Sequence, residues 1–177
     1  MIDFTWQNDS LLMSVKGTTI ALDPLDSRGN AQVKLFTNYF DSLEQSLKDL
    51  LIFNTPGEYE VENTLITGIA SDDNNTIYTV NSVGVSALLI TQDVSDNVIS
   101  RIGAVDIAFI DLYRYSDFEN LSKMITSIEA KVVICVGDDN QFAGLEKELG
   151  FVGEKSQRIK LQSKDLPESG ELLYHLY

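Results

Sequence analysis

Histidine is almost missing: His175 is the only one in 177 residues. A single imidazole cannot assemble a histidine-based zinc shell, which needs several such ligands around one ion. Cysteine is as scarce, and Cys135 alone can neither close an intramolecular disulfide nor supply the paired spacing of a zinc finger. Three prolines, 11 glycines and no long polar tract leave little composition for a disordered tail. No uninterrupted apolar run is long enough to span a bilayer, and Met1-Ile2-Asp3-Phe4-Thr5-Trp6 lacks the basic and apolar regions of a secretory signal. A cytoplasmic protein is expected.

Basic residues are few as well. Thirteen Lys and Arg stand against 27 Asp and Glu, a formal net charge of −14 that repels a phosphate backbone instead of releasing its counterions. Nucleic acid and anionic membrane are therefore poor partners. What the chain does have is apolar residues, 44% of the total, enough for one core at this length. One domain over 1–177 is expected.

The opening third reads as strand, turn, strand. Apolar and β-branched runs at 2–6, 11–15, 18–22 and 33–36 are broken by Asn8-Asp9, by Lys16-Gly17 and by a polar loop from Asp23 to Asn30. From Ser42 the period changes, with Leu43, Leu47, Leu50 and Leu51 on one helical face and Ser42 with Gln45 at capping-box spacing. After Pro56-Gly57 strands return at 59–61, 65–69, 76–80 and 85–91.

The second half alternates. Helices are expected at 96–102, along the Phe118, Leu121, Ile125 and Ile128 stripe capped by Ser116 and Glu119, and at 140–149. Strands are expected at 106–110, 131–136, 157–161 and 171–176. Early antiparallel strands followed by strand–helix alternation imply an α/β sandwich with sheets inside and helices outside.

Four stretches decorate this layout: Ala21-Leu22-Asp23-Pro24, Pro56-Gly57-Glu58-Tyr59-Glu60-Val61 with Gly68-Ile69, Ile102-Gly103-Ala104-Val105-Asp106, and Ala130-Lys131-Val132-Val133-Ile134. With them the chain resembles the metallo-β-lactamase-fold hydrolases, and is most similar to their compact bacterial branch related to sugar-phosphate lactonases. The Pro-Gly-Glu-Tyr-Glu-Val stretch is the most specific of the four. The resemblance implies a four-layer αββα sandwich of mixed sheets.

It also implies a zinc centre built from a His-x-His-x-Asp-His loop and two later histidines. The zinc lowers the pKa of its bound water to about 7 and so supplies hydroxide. The matching positions here are Thr37, Tyr39, Asp41 and Ser42, then Leu89 or Ile90, then Gly137; of the expected ligands only Asp41 is kept. A zinc-hydrolase fold without the zinc ligands points to a binding or assembly protein, a pseudoenzyme whose partner is another protein or a second copy of itself. His175 is read as a surface or edge histidine away from the site.

Two alternatives stay open. One is a hydrolase with a carboxylate-bound metal around Asp23, Asp41 and Asp93; the other is a regulatory subunit of an intact homologue. Asp23, Asp41, Asp93 and Asp138 or Asp139 all sit at strand ends that converge in the resembled fold. Zinc is expected to be absent, and an oxygen-only rim would hold Mg²⁺ or Ca²⁺ weakly. Against this stand ordinary roles: capping for Asp41 and Asp138 or Asp139, and a turn for Asp23. The expected rim is Asp23, Thr37, Tyr39, Asp41, Ser42, Asp93 and Gly137. Cys135, after an apolar run, is read as a buried structural thiol.

Overall fold

Short strands with one apolar face need a second face to cover it, and two sheets meet that need here. The computed structural model describes residues 1–25, 31–40, 51–71 and 75–177. The first sheet opens as an antiparallel meander of β1 (Ile2–Gln7), β2 (Ser10–Val15) and β3 (Thr18–Leu22). Asn8 and Asp9 turn with φ of 52° and 54°, and Lys16 and Gly17 with 50° and 90°. Left-handed pairs of this kind match the twist of the strands they join. In parallel with β3 run β4 (Val33–Leu35) and β5 (Leu51–Phe53), and β13 (Arg158–Leu161) closes the far side against β1.

The second sheet begins with an antiparallel run of β6 (Gly57–Val61), β7 (Thr64–Ala70), β8 (Thr76–Ser82) and β9 (Val85–Ile90). It continues in parallel through β10 (Ile107–Asp111), β11 (Val132–Val136), β14 (Leu172–Leu176) and the edge strand β12 (Glu154–Ser156). Helices α1 (Asp96–Ile102), α2 (Phe118–Ile128) and α3 (Asp139–Leu149) lie along the crossovers. They cover this sheet's outer face.

Strand alternation assigns each side chain to one of two cores. On β10, Ile107 and Phe109 enter the layer between the sheets, with Phe4, Met13, Ile20 and Val80. Ala108 and Ile110 enter the layer under the helices, with Leu121, Ile125 and Leu145. A buried Leu, Ile or Phe contributes about 1.5–3 kcal/mol by leaving water, so the strands buried on both faces anchor the fold. Cys135 lies fully buried in the second core, where burial pushes its thiol far up.

Several sequence expectations move. Leu51, placed on the face of a helix, instead begins β5, because 51–53 finds hydrogen-bonding partners on β4. The rest of that expected helix, 42–50, lies outside the described residues. Helix α2 is capped by Asp117, whose side chain accepts from the Asn120 amide, and not by Ser116. The strand expected to sit at an edge, β14, is interior, since the polar stretch Glu154–Ser156 takes the edge beside it. His175 is accordingly 2% exposed, not a surface residue. Among the described residues, no helix is long and apolar enough to cross a membrane.

Candidate functional site

Parallel strands leave a crevice beyond their carboxyl ends, where side chains from several elements face a shared space. Here β9 ends before Thr91 and β10 ends at Asp111, while the meander brings in Trp6, Asp9 and, beyond β3, Asp23. Between the two sheets opens a cleft of about 480 Å³. Its apolar wall is Trp6, Leu11, Leu22, Leu25 and Phe109, and its polar groups are Asp9, Asp23, Thr91, Asp111, Tyr113 and Arg114. Trp6 stacks on Phe109 with ring centroids 6.3 Å apart.

Asp23 is held from below by one residue. The Thr37 amide donates to Asp23 Oδ1 at 2.8 Å, and the Thr37 hydroxyl donates to Oδ2 at 2.7 Å. Burial raises the Asp23 carboxyl above its ordinary value, against the opposing pull of these two bonds and of the Arg114 charge. Asp111 closes β10 and caps the turn that follows: it accepts from the Tyr113 amide at 3.1 Å and from Arg114 Nε at 3.3 Å. Burial raises its carboxyl too, and the negative charge of Asp23 adds to the rise. Two desolvated carboxylates thus share one guanidinium, whose side chain is 57% exposed.

Of the rim expected from sequence, Asp23 and Thr37 are brought together. Tyr39 is exposed and does not line the cleft, and Asp41 and Ser42 lie outside the described residues. Asp93 is exposed and stands near Tyr115, whose hydroxyl donates to the Gln92 carbonyl. Asp138 caps α3 through the Asn140 and Gln141 amides, and Asp139 pairs with Lys155 at 2.6 Å. Asp93, Asp138 and Asp139 do not line the cleft with Asp23, although the charge of Asp138, with those of Asp111 and Asp9, acts on Tyr113 in its wall.

The residues at the two later expected histidine positions serve packing. Leu89 is buried between the sheets and Ile90 under the helices. A Cβ added to Gly137 would come within 2.8 Å of the Leu112 Cβ, so this position has no room for a side chain. The Gly137 carbonyl instead accepts from His175 Nε2 at 2.8 Å. Among the described residues, no group of three or more His, Cys, Asp or Glu could hold a metal ion. The described donors do not fit a zinc centre.

Asp9, Trp6, Asp111 and Arg114 were not singled out by sequence. Asp111 carried a usable signal: it follows the apolar run 107–110, the same strand-end placement that pointed to Asp23. Asp9 and Trp6 carried none, since their place in the cleft depends on how the two sheets meet.

No protein-family model and no curated protein sequence matches the chain. Solved structures share its fold. A proposed Zn-dependent hydrolase of the metallo-β-lactamase superfamily from Thermotoga maritima superposes with a TM-score of 0.75 over 100% of both chains, at 15% identity. A proposed metal-dependent hydrolase from Parabacteroides distasonis gives 0.64 over 84% of this chain and 88% of its own, at 14% identity. A metallo-β-lactamase-fold protein from Bacillus subtilis gives 0.64 over 100% and 97%, at 7% identity. The sandwich is the metallo-β-lactamase fold.

Proposed function

We propose that this chain is a binding protein on a metallo-β-lactamase scaffold, in which a carboxylate, arginine and aromatic cleft occupies the place of a zinc centre. The observation that carries the reading is Gly137: the position the resemblance assigns to a ligand histidine is filled by the neighbouring Leu112, and its carbonyl is taken by His175. Asp23 argues the same way, since both its oxygens accept from Thr37. Function is read from the site and not from the fold. Two of the three solved neighbours are described as Zn- or metal-dependent hydrolases, and the described residues of this cleft hold no metal-binding cluster.

Elemental analysis of protein purified without chelator tests the reading, alongside assays on lactone, phosphodiester and β-lactam substrates. The expected result is no stoichiometric zinc and turnover at background. Any Mg²⁺ or Ca²⁺ binding is expected at about 10⁻⁴ to 10⁻³ M or weaker, the range of loose oxygen sites. One tightly held zinc per chain would overturn the proposal. A protein partner or a second copy belongs to the same reading as an assembly role, and light scattering across a concentration series reads the second copy directly.

A further inference from the structure

We propose, resting on the reading of this cleft as a binding site, that its ligand is a small organic cation: a protonated amine on an apolar or aromatic body. Among the described residues, the lining sets three carboxylates, Asp9, Asp23 and Asp111, against the guanidinium of Arg114. An anion entering here meets a surplus of like charge from these residues, and the Arg114 guanidinium already faces Asp111. A neutral apolar molecule would bury the carboxylates further without compensating them. An ammonium compensates them, and the aromatic rings of Trp6 and Tyr113 in the lining attract a cation.

The rest of the cleft fits the body of such a molecule. Leu11, Leu22 and Leu25 offer apolar contact, and a volume of about 480 Å³ suits a ligand of small-molecule size. Arg114 acts as the resident counter-ion. It touches Asp111 through one long Nε contact of 3.3 Å from a side chain that is 57% exposed, so an incoming ammonium can take its place at little cost.

The chain's only tryptophan, Trp6, lines the cleft, which makes its fluorescence a local reporter. Titrations with phenethylamine, phenylacetate and 2-phenylethanol at low salt hold the ring constant and vary the charge. The amine is expected to bind about tenfold more tightly than the other two, a difference of about 1.4 kcal/mol. Asp111→Asn is expected to weaken the amine by a similar factor, and Arg114→Gln to strengthen it. Asp9→Asn provides a second test, because Asp9 is exposed on a left-handed turn where asparagine is well tolerated, and it should weaken the amine as well. Phenylacetate or the alcohol binding as well as the amine would overturn the cation assignment and leave the cleft as a binding site. If none of the three perturbs Trp6, both proposals fall.

Discussion

His175 Nε2 donates to the Gly137 carbonyl at 2.8 Å while its ring stacks on Phe142, 4.5 Å between centroids. The chain's only imidazole thus ties β14 to the end of β11; among the described residues its Nδ1 has no hydrogen-bond partner, with Asp139 Oδ1 3.8 Å away. His175→Phe keeps the stacked ring and removes the donor. Leaving the carbonyl unpaired is expected to cost about 1–3 kcal/mol in urea unfolding, with metal content unchanged. A neutral result would mean that water serves the carbonyl as well.

Tyr78 reaches across from β8 to the ends of β4 and β5, its hydroxyl shared between the Phe36 and Phe53 carbonyls at 2.9 and 3.0 Å. Burial pushes its phenol far above the ordinary range, so it stays a donor at every working pH. Tyr78→Phe is expected to lower stability by about 1–3 kcal/mol, the range for a buried acceptor losing its donor. Equilibrium unfolding followed by far-ultraviolet circular dichroism measures it.

Asp23 and Asp111 both have carboxyl groups raised above 3.8 by burial. Each holds its proton more tightly folded than unfolded, so the folded chain binds more protons just above pH 3.8, and stability falls as pH climbs through the raised values. Asp111→Asn removes one such group. Its stability relative to the parent is expected to improve between pH 3.5 and about pH 7. Melting temperatures at the two ends decide it, and an advantage that shrinks with rising pH would contradict the account.

Truncation before Leu172 tests the position of β14. The strand pairs with β11 on one side and β12 on the other. A chain ending at Glu171 is expected to lose cooperative unfolding altogether, because removing an interior strand takes Leu173 and Leu176 out of the core and exposes the residues packed against them. A truncated chain that kept a sharp melting transition would show that β14 is dispensable.

Much of the fold was legible in the sequence, because a strand or helix announces itself by where its apolar residues recur. Residues 118–128 carry a stripe that only a helix can bury, and 132–136 are apolar throughout because both faces of β11 are covered. Residues 154–156, Glu-Lys-Ser, gave no such signal. An edge strand held by backbone bonds to one neighbour has no apolar face to display.

The site was legible only by subtraction. Sequence alone determined that one histidine cannot furnish a zinc shell, that charge disfavours polyanionic partners, and that Asp23 ends a strand, since each follows from residue counts or local pattern. Only the tertiary structure decided which residues line the cleft. Trp6, Asp9, Asp23, Asp111 and Arg114 come from separate strands, turns and loops, and they share a cleft because two sheets stack with their strand ends aligned. The same stacking decided His175: a position near the end of the chain reads as an edge, but parallel pairing on both sides makes it core.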